Sequence, residues 1–420
     1  MSRFTKLEKQ WILYDVGNSA FTMLVSTIIP IYFKNIATTA GISASDSTAY
    51  WGYAVSIATI IVAILGPILG TLADTKGYKK PLFSLFMMLG VLGCAALALP
   101  VPWVIFLAIF VIGKVGFSGS LIFYDAMLND ITTDERMDDV SSQGFAWGYI
   151  GSCIPFTISL LFILFAGKIG ISTPMATGIA FLLNATWWFL ITVPLLKNYK
   201  QKYYVDKTDR PVADSFKRLG EVIIGIRKQR KIFLFLLAFF FYIDGVHTII
   251  GMATSYGKDV GISDNNLLLA LLLTQVVAFP CAILFGKLAK KIKTEKLITT
   301  CILGYAAITI FALQLDKTWE FWLLAVCVAV FQGAIQALSR SYYARIIPKE
   351  KSSEYFGFYD IFGKGAAFMG TMLISITIQL SGSSRLGVAG IVIMFTIGFI
   401  IFKAATMENI SIDKKNSTSI

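Results

Sequence analysis

The sequence predicts an all-α membrane protein: twelve transmembrane helices arranged as two six-helix bundles. Between Trp11 and Thr406 the chain is mostly a succession of apolar runs of about 20 residues, separated by short polar turns, and that is the length a helix needs to cross a bilayer. Hydrophobic residues make up 56% of the 420 and charged residues 15%, with a mean hydropathy of +0.70, whereas a soluble domain carries about 25% charge. The second half of the chain also repeats features of the first at corresponding span ends.

The first run, Trp11–Phe33, follows Arg3, Lys6 and Lys9 and contains Asp15 and Asn18. It leads straight into further spans, so it reads as a transmembrane helix and not as a cleavable leader. Five more runs follow: Tyr50–Ala73, Pro81–Leu99, Trp103–Leu128, Ser141–Ala166 and Met175–Leu196. The polar stretch Lys197–Lys231 then divides the chain, and the second set is Ile232–Tyr256, Leu267–Ala289, Lys296–Leu315, Phe321–Tyr343, Ser353–Leu380 and Leu386–Thr406. The expected organisation is an N-terminal bundle over 1–196, a cytoplasmic linker over 197–231, and a C-terminal bundle with a short tail over 232–420. In the linker, Phe216, Leu219, Ile223 and Ile226 share one helical face. That pattern fits an amphipathic helix on the inner leaflet, and a solvated linker helix would show it too.

The formal net charge is +12. The basic residues fall in loops, with no basic patch interleaved with aromatics on a soluble module, so nucleic acid is not an expected partner. Arg3, Lys6, Lys9, Lys76, Lys79, Lys80, the dense run Lys197–Lys231, Lys287–Lys296, Arg345, Lys349 and Lys351 all lie on one side of the predicted spans. The other side carries little beyond Lys34, Lys168, Lys258, Lys317 and Arg385. The asymmetry predicts a multi-pass cell-membrane protein with both termini in the cytoplasm. The five cysteines, Cys94, Cys153, Cys281, Cys301 and Cys327, all sit in apolar runs without a CxxC pair, as packing residues and not a disulfide or metal framework.

Gly70-Thr-Leu-Ala-Asp74, followed by Lys76, Lys79 and Lys80, ends the second span, and Gly286-Lys-Leu-Ala-Lys290 ends the eighth. Ser141 and Ser142 precede Gly144-Phe145 at the fifth span, as Ser352 and Ser353 precede Gly357-Phe358 at the eleventh. Matches in the same order at corresponding ends argue for a duplicated six-helix unit. The segment Gly66–Lys80 resembles the signature loop of the major facilitator superfamily, with Thr75 where an Arg is common. The resemblance implies a conformational latch of Gly70, Asp74, Gly77, Lys79 and Lys80, in which Asp74 meets the positive N-terminal end of the eleventh helix. The second copy has Lys290 in place of the Asp, so its contact must differ.

Three further segments narrow the resemblance. They are Tyr14-Asp15-Val-Gly-Asn18; Tyr124-Asp125-Ala-Met-Leu128 with Gly144-Phe-Ala-Trp147-Gly-Tyr149; and Gln336-Ala-Leu-Ser-Arg340 with Tyr355-Phe-Gly-Phe-Tyr359. Together they are similar to the vacuolar-effluxer branch of that superfamily, whose eukaryotic members are linked to amino-acid efflux during autophagy. In the superfamily, helices one, four, seven and ten line the pathway and the eleventh contributes to it.

Charge and depth independently mark Asp15, Asn18, Lys114, Asp125, Asp244, His247, Asp360 and Lys364 as pathway candidates, because charges inside spans face protein or water. The resemblance adds Tyr124, Trp147, Tyr149, Gln336, Arg340 and Tyr359. Asp360 and Lys364 are four apart, which suits either substrate contact or an ion pair on one helix. Lys114 has no carboxylate one turn away, which suits a substrate anion or an interhelical partner. His247, the only histidine, suits a packing role or, beside Asp244, a proton relay.

The expected function is secondary active transport by alternating access: amino-acid efflux or symport of a small polar or zwitterionic solute, with protons or sodium as candidate coupling ions and uniport as the uncoupled alternative. A lipid-headgroup or organic-anion substrate, or a non-transporting sensor, are the alternatives. No P-loop, HExxH or nucleophile–base set is present, so no enzyme activity, cofactor or metal is expected, and the chain is expected to be a monomer.

Overall fold

The computed structural model describes residues 4–206, 225, 229–259, 261–381 and 384–417. It is all-helical. The first half comprises α1 (Lys6–Ser26), α2 (Ile28–Thr39), α3 (Ala44–Ala73), α4 (Lys79–Ala96), α5 (Trp103–Ala126), α6 (Leu128–Ile131), α7 (Met137–Leu164) and α8 (Thr173–Asn198). The second comprises α9 (Arg230–Asp259), α10 (Asp264–Leu288), α11 (Thr294–Ala312), α12 (Thr318–Ile346), α13 (Ser352–Ser381) and α14 (Ser384–Ser417). Eleven stretches are long and apolar enough to cross a bilayer among the described residues, and the 30-residue α13 is a further long helix. The linker face of Phe216, Leu219, Ile223 and Ile226 lies outside the described residues.

Local chemistry sets several helix ends. Thr5 and Glu8 form a capping box, in which Glu8 N donates to Thr5 Oγ1 at 3.2 Å and Thr5 N donates to Glu8 Oε2 at 2.7 Å. This starts α1 five residues before the apolar run, a polar signal that hydropathy alone does not register. Ser43 caps α3 and Ser172 caps α8. The first crossing, Lys6–Thr39, is interrupted at Thr27, whose φ and ψ are −136° and −76°. Pro30, in the first turn of α2, has no amide to give to Ser26.

Lipid-facing surface is written into the spacing. Ile60 and Ile64 on α3 are 58% and 60% exposed, and Leu85 and Leu92 on α4 are 60% and 59% exposed. Stripes of that exposure would aggregate in water, while hydrocarbon accepts them.

The described contacts divide the chain into two compact units. One comprises Met1–Thr132, Trp147–Val212 and Lys349–Gly357, and the other Thr133–Ala146, Ala213–Pro348 and Phe358–Ile420. The opening of α7 therefore groups with the second unit and the opening of α13 with the first. In unit one, α4 packs on α5 and α8, α1 on α8, and α3 on α5. Unit two repeats this as α11 on α12 and α14, α9 on α14, and α10 on α12.

The duplication reaches single side chains. Tyr14 on the first span shares a hydrogen bond with Ser120 on the fourth at 2.7 Å, and Tyr242 on the seventh does the same with Ser339 on the tenth, also at 2.7 Å. Small residues bring the backbones together. A Cβ added at Gly93 would lie 2.5 Å from Gly113 Cα, and one at Gly116 would run into the Gly90 amide.

Candidate functional site

In unit one, Asp15 and Asn18 are 7% and 3% exposed on α1. The Asn18 amide nitrogen has no hydrogen-bond partner among the described residues. Gly148 lets α7 approach α1 here, since a Cβ there would stand 2.9 Å from Ser19 Oγ and 3.3 Å from the Asp15 carbonyl oxygen. The half-buried Trp147 and Tyr149 flank it. Trp11 and Tyr124 stack with ring centroids 4.4 Å apart. The Trp11 indole N–H donates to the Tyr124 carbonyl at 2.9 Å, and the Tyr124 hydroxyl donates to the Trp11 carbonyl at 3.1 Å. Tyr124 thus clamps α1 to α5. Asp125, the next residue, is half-buried. Lys114 is also half-buried, with its ammonium 5.0 Å from the Phe117 ring centre.

In unit two, Asp244 is fully buried on α9. Its Oδ1 accepts from the Gly370 amide at 3.0 Å and the Thr248 hydroxyl at 3.2 Å, while Oδ2 has no partner among the described residues. A Cβ at Gly370 would collide with Thr248 Oγ1 and Asp244 Oδ1, so α13 can offer its amide there only as glycine. His247, three residues on, is half-buried. Lys364 pairs with Asp360 at 2.6 Å, both partly exposed. Tyr359 stacks between Phe239 at 4.1 Å and Tyr343 at 5.0 Å. Gln336 bonds back to the Gln332 carbonyl at 3.1 Å. Arg340, 3% exposed, donates to the Ser141 hydroxyl at 2.9 Å and carbonyl at 3.1 Å and covers the Phe145 ring at 4.4 Å. It fastens the opening of α7 within unit two.

The buried carboxylates do not follow the duplication. Asp15 is one residue after Tyr14 and Asp244 is two after Tyr242, a rotation of about 100° on a helix. The Tyr–Ser framework is repeated, and each unit carries its own acid on it.

At the end of α3, Asp74 is fully buried. Its Oδ1 accepts from Ser353 N and its Oδ2 from Glu354 N, each at 2.9 Å, at the start of α13. The carboxylate meets the partial positive charge of a helix N-terminus. Burial pushes this carboxyl up to about 6, against the opposing pull of Lys79 and the two amides. A Cβ at Gly70 would run into the Ser353 carbonyl oxygen, and Gly77 takes the left-handed turn at φ +84°. Lys80 follows Lys79 in the first turn of α4. Lys79 is fully buried, 3.9 Å from Asp74, 3.1 Å from Asp130 and 2.9 Å from the Ser352 hydroxyl.

Asp130 is a hub that sequence reading missed. One of its oxygens takes Lys79 and the Tyr199 hydroxyl, and the other takes the amides of Lys202 and Tyr203 at 3.1 and 2.9 Å. Burial, with the Asp130 charge, raises the Tyr199 hydroxyl well above its ordinary value. Also missed was the corresponding cluster of unit two. Asp138 takes both Arg345 amino nitrogens at 2.8 Å together with the Ser341 and Thr294 hydroxyls, and Asp139 takes Lys290 at 2.5 Å. The signal was acids beside basic span ends, whose pairing needs tertiary proximity. Among the described residues no group of acids, histidine and cysteines could hold a metal.

Two repeated helical units with acids and bases inside apolar spans are those of a major facilitator superfamily transporter. Solved structures carry the same fold. The Escherichia coli fucose:proton symporter FucP superposes with a TM-score of 0.73 over 97% of this chain and 99% of that one, at 14% identity. The human organic anion transporter MFSD10 does so with 0.69 over 94% and 99%, also at 14%. Within the superfamily the chain belongs to the family described as "Vacuole effluxer Atg22 like", whose profile matches residues 5–138 and 129–415. It is 48% identical over 407 residues to the MFS-type transporter YxiO of Bacillus subtilis, covering 96% of this chain and 95% of that one. It is 24% identical over 291 residues to autophagy-related protein 22 of Cryptococcus neoformans, covering 64% of this chain and 53% of the fungal protein. The chain therefore spans about half the length of that relative.

Proposed function

We propose that this transporter moves a small zwitterionic, amino-acid-like solute across the cell membrane by alternating access, coupled to a proton or sodium gradient. The observation that carries the reading is the presence of charges of both signs inside the spans. Asp15 and Lys114 lie in unit one, and Asp244, His247, Asp360 and Lys364 lie in unit two. A solute bearing both an ammonium and a carboxylate meets a group of opposite sign for each of its charges.

The roles divide by surroundings. Lys114 meets the solute carboxylate. Asp244, a buried acid with one oxygen bonded and one orphaned among the described residues, takes the coupling cation or proton. Asp15 and Asn18 take the solute ammonium and backbone. The Asp74 contact acts as a conformational latch, the solute is not altered covalently, and the chain works as a monomer with both termini in the cytoplasm.

The test is uptake into proteoliposomes of labelled amino acids, each with and without an imposed proton or sodium gradient. Gradient-driven accumulation of a zwitterion supports the reading. Transport of organic anions only, at equal rates for either gradient, overturns it.

A further inference from the structure

A cavity of about 850 Å³ opens in unit two at the level where the spans Arg230–Ala253 and Thr294–Ala312 begin and Thr318–Ile346 and Arg385–Thr406 end. Among the described residues its lining holds seven lysine and arginine side chains and one acid, Glu295. Lys290 and Arg345 are held by Asp139 and Asp138. Lys291, Lys293 and Lys296 have no carboxylate partner among the described residues. α11 opens into the same cavity, and its N-cap, Lys293, makes no side-chain bond to the first amides, which leaves donors there for an anion.

A separate observation points the same way. Tyr342 lines the cavity, is 3% exposed, and its hydroxyl has no hydrogen-bond partner among the described residues. Lys231 stands over its ring at 5.8 Å. A buried donor without an acceptor, in a basin of cations, suits a ligand made of oxygen acceptors.

We infer that this cavity binds the phosphate-bearing headgroup of an anionic phospholipid. Phosphate oxygens would take the Tyr342 hydroxyl, the α11 amides and the free lysines together. The choice of a lipid over a soluble phosphate rests on depth. The cavity lies at the ends of four spans, where headgroups are, and basic pockets between helices at that level are suited to anionic headgroups. A zwitterionic headgroup brings a choline cation into the same basin and is disfavoured. The inference is independent of the transported solute.

The test uses the purified full chain in detergent. Retained lipid is counted by native mass spectrometry, and thermal stability is followed with added phosphatidylglycerol, phosphatidylcholine or inorganic phosphate. Phosphatidylglycerol should be retained and raise the melting temperature, while phosphatidylcholine and millimolar phosphate should not. Replacing Lys291, Lys293 and Lys296 together by Gln should weaken retention on the order of 100-fold, since each cation near a surface is worth about fivefold. Tyr342→Phe should weaken it severalfold in a chain of unchanged charge, and it serves if the triple variant does not fold. A control lacking Lys6, Lys9 and Lys200 should bind as the parent does. Equal retention by the Lys291/Lys293/Lys296 variant or by Tyr342→Phe overturns the site. An equal shift with inorganic phosphate overturns the lipid assignment.

Discussion

Lys290 and Asp139 form an ion pair at 2.5 Å at the span end that corresponds, by the internal repeat, to Asp74. The charge at that position is reversed, and so is the route by which it is satisfied. In unit one the acid comes from the end of α3 and accepts the first amides of α13 directly. In unit two the span end is basic, and a lysine would repel a helix N-terminus. There the acid belongs to the receiving helix: Asp138 and Asp139 occupy the first turn of α7 and draw in Arg345 and Lys290. Both copies place a carboxylate on a helix N-terminus, where its charge is favourable, and they supply it from opposite elements.

Asp74→Asn keeps an acceptor for one amide and loses the charge. Two charge-assisted hydrogen bonds weaken toward neutral ones, by about 1–2 kcal/mol, which relief of the buried charge offsets. Expression should persist, and uptake should fall on the order of tenfold if one conformer depends on the contact. Gly70→Leu should do at least as much harm by pushing into the Ser353 carbonyl. Near-normal uptake in both variants would remove the latch role.

The same carboxyl gives a pH signature. Its value in the fold is about 6 against an ordinary 3.8, so the folded state holds the proton more tightly than the unfolded chain does. Stability should therefore fall as pH rises through roughly 4 to 6 and level off above. The interval corresponds to on the order of 3 kcal/mol. Melting temperatures from pH 4.5 to 7.5 should slope down in the parent, and Asp74→Asn should remove part of that slope. Parallel curves for the two proteins would contradict the assignment.

Exchanging Lys290 and Asp139 tests the second contact. The pair is partly exposed, at 30% and 10%, so each single reversal should cost under about 1 kcal/mol in stability, the usual worth of such a pair. The larger effect should be on transport. Lys290→Asp sets an acid against Asp139 and Asp138, and Asp139→Lys should restore uptake in the double variant. If the double variant is no better than the worse single one, the charges do not act as a pair.

The spans were legible because a bilayer imposes one length and one polarity on every crossing, and no packing detail is needed to see that. The charges at depth were legible for the same reason: Asp15, Lys114, Asp125 and Asp244 interrupt runs that are otherwise uncharged. Asp130 was not. It sits in the short α6 just past the fourth span, where an acid is unremarked, and its role exists only because Lys79, Tyr199 and the amides of Lys202 and Tyr203 converge on it. Asp244 and His247, three apart in sequence, suggested a pair. In the fold the residue that fixes Asp244 is Gly370, 126 positions away. A glycine whose value is the absence of a side chain leaves no chemical mark.

Orientation rests on the distribution of lysine and arginine. In intact cells, a cysteine introduced near Ser43 should react with an impermeant maleimide, and one introduced near Lys207 should not until the cells are opened. The reverse pattern would invert the topology and place the basic cavity on the outer face.

The separation of solute binding from coupling is tested at Lys114 and Asp244. Lys114→Ala should weaken solute binding by about tenfold or more, because a partly desolvated ammonium aimed at a carboxylate is worth at least 1.4 kcal/mol. Asp244→Asn should leave binding intact and abolish accumulation against a gradient. The substitution is informative because it preserves packing: an amide oxygen can still accept from Gly370 N and Thr248 Oγ1, while the titrating charge is gone. Gly370→Ala separates position from charge. Its added carbon meets Asp244 Oδ1 directly, so the carboxylate is displaced while remaining ionisable, and coupling should fail in this variant too. Loss of accumulation in both, with solute affinity unchanged, assigns coupling to the acid as Gly370 positions it. If Asp244→Asn still concentrates solute, coupling lies elsewhere and Asp15 is the next acid to replace. If Lys114→Ala binds normally, Lys114 is an interhelical partner and the solute carboxylate belongs to Lys364.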